Sequence, residues 1–447
     1  MRQAKTLLAA AALLPLLFAA RLARADDAPV AAGGAAAGAE EASPTMEAPA
    51  AAYDWALLHA GVRPHLATFG GVGTFALAQG RVHHFYGVAS FATVRQDAGV
   101  FVGATEIALG QANAEKFYGV AQLGLSKNLA SGSFAGVTQL SLAHNDAESF
   151  GGVLQLAPYD RAGDFYGLAQ IGGYDRTERD FVGALQLGLA HDEADRFRGL
   201  AQVSLAHAAT RDFGGALQLA PYAHTNDFAG VVQLGVLSRD DEEFAGGLQL
   251  GIINKVGSGS LFSDERDGSF AGVAQVGWIN WNDGQFAGAL QAGTVNLAAK
   301  GFTGLAQIGL ASATEREMLA PVQLGAIVAY AEEFHGLTQI GTVTVSDHVR
   351  GAQLGVVNVS SEDHYGLQLG AVDYSGDIRG AQIGLVNVAD KVRGVQIGLF
   401  NNATSLRGLQ IGVVNHAEDG SLVPWSTIIN MGFGSDGGEA PLAASND

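Results

Sequence analysis

The chain has 447 residues, with 62 glycines, no cysteine and only 15% charged residues. Glycine is about twice as frequent as usual and charge is well below the usual quarter, while a hydrophobic content of 48% is too high for long intrinsic disorder. The lack of cysteine excludes disulfides, thiolate zinc sites and cysteine nucleophiles. A net charge of −19 disfavours nucleic acid and anionic lipid headgroups as partners.

The first 25 residues have the pattern of a secretory signal peptide. Arg2 and Lys5 form a basic start, residues 6–20 are apolar, and Ala23-Arg24-Ala25 is a small-x-small cleavage site. A membrane anchor is the alternative, but the apolar run is shorter than the ~20 residues of a spanning helix. We therefore predict export and a mature chain that begins at Asp26.

Two further segments lack apolar periodicity. Residues 26–52 are rich in Ala, Gly, Glu and Pro, and residues 434–447 have a similar character. Both compositions are typical of disordered spacers and tails. The predicted domains are thus a signal peptide, a spacer, a repeat domain at 53–433 with an insertion at about 255–267, and a tail.

A repeat fills the region between these segments. An aromatic-x-Gly-x-x-Gln-x-small phrase recurs every 14 to 17 residues, apart from the insertion, as in FYGVAQLG at 117–124. We call the Gln position the register position; the spacing continues upstream through Thr74, Ser90 and Glu106. Its glutamines are Gln122, Gln139, Gln155, Gln170, Gln186, Gln202, Gln218, Gln233, Gln249, Gln275, Gln291, Gln307, Gln323, Gln339, Gln353, Gln368, Gln382, Gln396 and Gln410. The series makes 22 units, and internal repeats of this kind indicate a β-repeat architecture.

Each unit predicts a strand followed by a turn. In residues 392–401, Ile397 and its alternate neighbours share one face while Gln396 is on the other. The apolar side is therefore expected to face lipid or a core. Longer units have one extra residue between Gly and Gln, which predicts either a bulge or a change of facing. Hairpin turns are predicted at 160–164, 282–285, 374–377 and 418–421.

Two all-β architectures fit a repeat of one strand. In an antiparallel meander about 22 short strands close into a β-barrel, and in a parallel β-solenoid each unit is one coil. A strand of about nine residues spans ~30 Å, which leaves too few residues to return for a parallel coil unless the strand breaks, for example at Gly394 and Gly398. Lipid would also cover the apolar face. Short turns at both ends and an uncharged inner face oppose a barrel, but the balance favours it.

The C-terminal units resemble a known family. RGAQLGVVNVS (350–360), RGAQIGLVNVA (379–389), RGVQIGLFNNA (393–403) and RGLQIGVVNHA (407–417) are similar to the Gly-x-Gln-x-Gly-x-x-Asn repeats of a bacterial envelope surface-repeat family. The resemblance implies an exported envelope protein without a defined activity. It is tight over 349–417 and looser over 66–348. Some members are lipoproteins, but this chain has no cysteine to carry the lipid.

Histidine is the main candidate for metal or nucleophilic chemistry. His144, His191 and His207 each follow a register Gln by five residues, a place that Asn254 and its equivalents hold elsewhere. A hydrogen bond to the backbone at the end of the strand is the favoured interpretation. His83 and His84 are adjacent, so on a strand they would point to opposite faces and not chelate together.

Acidic clusters are the remaining candidates, for weak divalent-cation binding. One is in a predicted turn, and a second is in the insertion; their residues are Asp240, Asp241, Glu242, Glu243, Asp264, Glu265 and Asp267. A solvated loop is the favoured interpretation because no calcium-binding loop motif is present. No catalytic, cofactor-binding or metal residue is predicted.

The predicted function follows from the architecture. The favoured hypothesis is an outer-membrane protein with a structural or passive pore role, no catalysis, no cofactor and outer-membrane lipid as its partner. The alternative is a secreted or surface-attached β-solenoid that acts as a binding or adhesion scaffold.

Overall fold

Short strands separated by bends are the local unit of this fold. In the repeat around Gln122, the register residue lies in a strand of four residues, Ala121–Gly124, and the following strand is Lys127–Ala135. Gln122 pairs in parallel with Gln139 of the next repeat, and with Glu106 of the previous one. Each repeat therefore returns to its starting place and stacks on its neighbour.

The architecture is a parallel β-solenoid of about 21 turns, in a computed structural model that describes residues 53–258 and 268–433. The predicted antiparallel barrel is wrong. The length argument failed because the chain bends within each coil, so that the strand around Gln122 has only four residues and 14 to 17 residues suffice for the return. The all-β prediction and the repeat are confirmed.

The chain forms two compact units. Of the described residues, the N-terminal unit contains 53–241 and 245–251, and the C-terminal unit contains 242–244, 252–258 and 268–433. The predicted signal peptide, the spacer, the tail, and residues 259–267 of the insertion lie outside the described residues.

The first twenty strands begin in the N-terminal unit, and β20 also includes the three residues of the other unit. They are β1(Tyr53–Trp55), β2(Leu58–Gly61), β3(His65–Gly70), β4(Gly73–Ala76), β5(Gln79–Tyr86), β6(Ala89–Ala92), β7(Arg95–Val102), β8(Thr105–Ala108), β9(Gln111–Tyr118), β10(Ala121–Gly124), β11(Lys127–Ala135), β12(Thr138–Ser141), β13(His144–Gly151), β14(Leu154–Tyr166), β15(Ala169–Val182), β16(Leu185–Arg198), β17(Ala201–Ser204), β18(His207–Leu219), β19(Tyr222–Leu234) and β20(Leu237–Leu250).

The remaining strands belong to the C-terminal unit. They are β21(Ile253–Val256), β22(Ser269–Val276), β23(Ile279–Asn282), β24(Gln285–Ala292), β25(Val295–Ala298), β26(Gly301–Thr303), β27(Ala306–Leu319), β28(Val322–Ser346), β29(His348–Leu369), β30(Val372–Ile383), β31(Val386–Asp419) and β32(Trp425–Phe433).

Three inward-facing positions recur along the coils. The register residue is buried on the first run of strand, often an Asn or Asp is buried on the second, and usually a Phe is buried on the third. We call these runs the Gln strand, the Asn strand and the Phe strand. In the N-terminal unit the Phe rings stack from coil to coil, with centroids 4.9 Å apart for Phe150 and Phe165 and 4.8 Å apart for Phe165 and Phe181. The phenylalanines thus form the core.

The extra residue of the longer units makes a corner, not a bulge within a strand. Val120 follows Gly119 at the bend between β9 and β10, and the next inward-facing residue is Gln122. The shorter C-terminal units turn with a single glycine instead. Gly394 has a φ of 151°, and a Cβ there would lie 1.9 Å from the carbonyl oxygen of Gly380. Only glycine fits such a corner.

The second glycine of the motif makes room for an asparagine. A Cβ at Gly398 would lie 2.6 Å from Nδ2 of Asn387, in the neighbouring coil. The Gly-x-x-Asn part of the repeat is therefore a packing rule, because the Asn side chain fills the space that a Cβ would need.

Of the predicted hairpin turns, only one leads to an antiparallel strand. Residues 418–421 precede β32, which pairs antiparallel with β31 from Arg407 to His416. Strands of successive coils pair in parallel, as β10 does with β12, β18 with β19, and β30 with β31. The predicted turn at 160–164 lies within β14, where Asp160 is fully buried. Residues 374–377 likewise lie within β30, and at 282–285 Asp283 is buried at a corner.

Candidate functional site

Two features of this fold are candidates for function: the polar ladders inside the coils and the outer surface of the Gln strands. The inner ladders determine which side chains point outward.

The register glutamines form one continuous ladder in each unit. Nε2 of Gln186 donates to Oε1 of Gln170 at 3.0 Å, and Nε2 of Gln202 donates to Oε1 of Gln186 at 2.9 Å. The same amide also donates to a backbone carbonyl of its own coil, as from Gln186 to Glu193 at 3.1 Å. A buried amide is stable only when it is bonded in this way. The Gly/Gln side of the strand is therefore the inside of the solenoid.

Carboxylates interrupt the ladder of the Asn strands. Asn128 and Asn145 are followed in successive coils by Asp160, Asp175 and Asp192, all fully buried. Nδ2 of Asn145 donates to Oδ1 of Asp160 at 2.8 Å, whereas the oxygens of Asp175 and Asp192 lack a hydrogen bond of good geometry.

Burial raises the pKa of all three carboxyl groups well above the usual range, and for Asp175 the neighbouring charges of Asp160 and Asp192 raise it further. The neutral acid is the favoured form, because three stacked carboxylates cannot all be charged in a dry interior. The three stacked carboxyl groups therefore hold protons in the folded state.

Two other acids have the same character. Asp240 was predicted to lie in a solvated loop, but this is wrong: its side chain is fully buried beside the Gln ladder. Gln233 and Gln249 donate to it at 2.8 and 2.7 Å, and Thr225 also bonds to it. Burial raises the pKa of Asp240 to about 8. Glu106 replaces a glutamine of the ladder, and burial raises its pKa well above the usual value.

The other acidic candidates are dispersed. Oδ2 of Asp241 is 3.0 Å from Nε2 of His224, and its Oδ1 accepts from Nε of Arg239 at 2.6 Å. The second cluster, at 264–267, lies outside the described residues. Among residues 53–258 and 268–433, no group of three or more His, Asp or Glu side chains could hold a metal ion.

The predicted histidines lie on the outer surface of the Asn strands. His144 stacks on Tyr159 at 4.6 Å and His191 stacks on Tyr174 at 4.7 Å, while Nδ1 of His207 is 2.9 Å from Nδ1 of His191. His144 was predicted to occupy the position equivalent to Asn254, but this is wrong by one residue. Asn145, not His144, accepts the ladder hydrogen bond from Asn128. Burial and the nearby His191 lower the pKa of His207 to about 4.

His83 and His84 were expected to point to opposite faces. Their rings instead make an edge contact at 4.5 Å, and neither side chain is buried. Next to the histidine stack, the Asn strands carry ion pairs such as Arg161 with Asp146 at 2.9 Å and Arg161 with Glu178 at 2.8 Å. An open groove of about 260 Å³ lies here, and charged side chains dominate its lining.

The outer surface of the Gln strands is different, because its side chains are apolar. Ile397 was predicted to face lipid or a core; it points outward, as it would in the predicted barrel, and is 39% exposed, while Leu399 is 57% exposed. The apolar side of the strand is thus the outer surface of the solenoid. We call this surface the Gln face and define it as the outward residues from two before to three after each register residue.

The Gln face contains no charged residue in any coil. The position after the register residue is apolar in all 22 units, from Phe75 to Ile411. Leu168, Leu200 and Leu205 are 57, 65 and 66% exposed. The absence of charge at the outward positions of every unit was the sequence signal for this face, and it was interpreted as contact with lipid.

Comparison with known proteins adds no relative: no protein-family model, no curated protein and no solved structure matches this chain. The resemblance to a surface-repeat family stays a prediction. In the described residues, no helix has the length and apolar character to cross a membrane.

Proposed function

We propose that this chain is an exported, non-catalytic β-solenoid scaffold that binds a macromolecular partner through its Gln face. The observation that carries the proposal is the exposure of an uncharged apolar surface over every coil. Soluble monomers rarely expose apolar patches beyond ~300–600 Å², and larger ones mark interaction sites. A parallel solenoid supports such a surface rigidly, because each coil is hydrogen-bonded to the next.

The environment of the face supports a scaffold over an enzyme. The carboxyl groups of Glu106, Asp175, Asp192 and Asp240, whose pKa values are strongly raised, are enclosed within the coils, where no substrate reaches them. Many of the outer charges form ion pairs, as Arg161 does with Asp146. A net charge of −19 also argues against nucleic acid as the partner. The export part of the proposal rests on residues 1–25 and on the repeat resemblance.

Cysteine labelling in isolated envelope fractions tests whether the Gln face is covered. The chain has no native cysteine, so single cysteines can be placed at Leu200, on the Gln face, and at Val182, on the outside of a Phe strand. Both side chains are exposed, at 65 and 41%. In isolated envelope fractions we expect Leu200→Cys to react with maleimide at least about ten times more slowly than Val182→Cys, since a bound partner excludes the reagent. Equal rates would refute the scaffold proposal.

Export is tested separately, by the mass of the chain recovered from cell fractions. We expect a mature protein that begins at Asp26 and is absent from the cytoplasm. Recovery of the protein with residues 1–25 attached, in the cytoplasmic fraction, would contradict export and leave the Gln-face proposal to its own test.

A further inference from the structure

The outward side chains of the Gln face alternate regularly in size over five coils of the N-terminal unit. The position before the register residue alternates between large and small in five successive coils, Leu154, Ala169, Leu185, Ala201 and Leu217. These residues are direct neighbours in the parallel ladder. The alternation has a period of two coils, about 9.6 Å.

The neighbouring position alternates in the opposite phase. It contains Val153, Leu168, Ala184, Leu200 and Ala216, joined coil to coil by backbone hydrogen bonds of 2.9 to 3.1 Å. From Leu168 to Leu217, each coil thus presents one leucine and one alanine, and the next coil presents them in the reverse order. The surface is a chequerboard of protruding leucines and shallow depressions.

A chequerboard of this kind is complementary to itself. When a second identical face is turned by a two-fold rotation and shifted by one coil, leucines of one copy lie over alanines of the other. Isologous interfaces require such self-complementarity. A fluid lipid surface would cover leucines and alanines in any order and requires no alternation.

The area also fits a protein partner. The N-terminal unit has twelve register residues, from Thr74 to Gln249. With a rise of ~4.8 Å per coil and ~3.3 Å per residue, the whole face measures about 50 by 16 Å, or about 800 Å², and the four coils with the leucine and alanine alternation make up about a third of it. A stable interface buries about 800 Å² on each partner.

We infer that the Gln face of the N-terminal unit is a homodimer interface, in which a second copy of this chain packs its own Gln face against the first, leucine over alanine. The inference rests on the proposed function, since it names the partner of the same face. The acidic Asn and Phe strands stay in water on the outside of the dimer.

Sedimentation equilibrium of the mature chain in detergent-free buffer is the main experiment. We expect a dimer at micromolar concentration. The double variant Leu168→Glu/Leu200→Glu should weaken the dimer at least about 100-fold, because four carboxylates enter an apolar interface. The matched control Tyr166→Glu/Val182→Glu adds the same charge to two exposed Phe-strand positions of the same unit and should leave the dissociation constant unchanged.

Two results would overturn the inference. One is a wild-type chain that is monomeric at micromolar concentration, including one that instead floats with phosphatidylcholine vesicles, which would make lipid the cover. The other is a dimer that the double glutamate variant weakens no more than the control does. Circular dichroism of each variant confirms folding before the comparison.

The cysteine variants keep the test decisive if the glutamate variant does not fold. In purified protein, Leu200→Cys should be labelled at least about ten times faster after dilution below the dissociation constant, whereas Val182→Cys should keep one rate. A concentration-independent rate at both sites would contradict the dimer. Protection of Leu200→Cys in envelopes together with a purified monomer would reject the second copy but preserve the scaffold.

Discussion

Buried carboxyl groups are the residues that depart most from the repeat pattern, because they stand where other coils have an amide. In many other coils Asn holds the inner place of the Asn strand, and its amide donates to the neighbouring coil, as from Asn387 to Asn401 at 2.7 Å. Asp175 has the same shape but no amide to donate, and it lies between Asp160 and Asp192. The fold therefore accommodates Asp175 only when its carboxyl group is protonated. At low pH the neutral acid fits the ladder as an asparagine does, and at high pH the ionised group is a buried charge without a partner.

Replacing Asp175 by Asn should consequently stabilise the protein. The amide restores a donor to the ladder and removes a group that ionises at high pH, so we expect a gain of about 2–4 kcal/mol in unfolding free energy at pH 8 and less at pH 5. Urea titrations at the two pH values measure the difference. A lower stability of Asp175→Asn at pH 8 would show that the carboxylate has a partner there.

Asp164→Asn is the matched control in the same unit. Its carboxylate is partly exposed and accepts from Nε and an Nη of Arg179, at 3.0 and 2.8 Å. Those hydrogen bonds lower the pKa of Asp164, so the charged form is the stable one. This variant should lose stability, by less than about 1 kcal/mol.

At the scale of the element, the facing of the Gln strand decides which substitutions are tolerated. Gln396 donates to Oε1 of Gln382 at 2.7 Å and accepts from Nε2 of Gln410 at 2.8 Å. Gln396→Leu leaves the amide of Gln410 without its ladder acceptor, and we expect a loss of about 1–3 kcal/mol. Ile397→Asp changes an outward side chain of the next position and should cost less than about 1 kcal/mol.

Thermal melts of the two variants, followed by circular dichroism, rank them directly. The result expected here is the reverse of what the apolar pattern alone suggests, since a polar-to-apolar change is the damaging one. If Ile397→Asp lowered the melting temperature more than Gln396→Leu, the outward facing of Ile397 would be refuted.

The terminal strand β32 has a separate role as a cap. Nδ2 of Asn430 donates to Oε1 of Gln410 at 3.1 Å and so completes the ladder with an antiparallel strand. Asn430→Ala should cost about 1–2 kcal/mol, because it leaves the oxygen of Gln410 buried without a donor. Hydrogen exchange should show faster exchange confined to the coils near 396–417, and an effect spread over both units would contradict a local cap.

At the scale of the whole molecule, the repeat and the all-β class were predictable because the period and the alternation are local in sequence. The direction of strand pairing, parallel or antiparallel, was not predictable. One strand of nine residues and two short strands with a bend at Gly398 show the same alternation of apolar and polar residues in the sequence. The alternation separates the Ile397 side of the strand from the Gln396 side, but it leaves open whether the apolar side faces lipid or a core. Glutamines that bond to each other and phenylalanines that fill the remaining interior leave Ile397 on the outside.

The buried acids were also beyond the sequence argument. Asp240 stands in a run of four acidic residues, which is the usual pattern of a solvated loop, and only its register with Gln233 and Gln249 places it inside. The Gln face, by contrast, could have been found by counting charges at each position of the repeat. Its partner could not, because lipid and protein both cover apolar surfaces.

Stability of the whole molecule should fall as the pH rises from about 5 to 8. Asp175, Asp192 and Asp240 have raised pKa values in the folded state, about 8 for Asp240, against about 4 in an unfolded chain. The folded state therefore binds more protons across this range, so its advantage is complete below about pH 4 and is lost as the pH rises through the folded pKa values. Asp146 and Asp241 have lowered pKa values and act oppositely, but their contribution is lost only at or below about pH 4. Burial lowers the pKa of His207 and His364 to about 4, which opposes the decline between about pH 4 and 6.5, but these two groups are outnumbered by the buried acids. Melting temperatures measured from pH 4 to 9 should thus be highest near pH 4–5 and decline steadily to pH 8, and a maximum near pH 7–8 would mean that the carboxylate run is charged and neutralised by a bound cation.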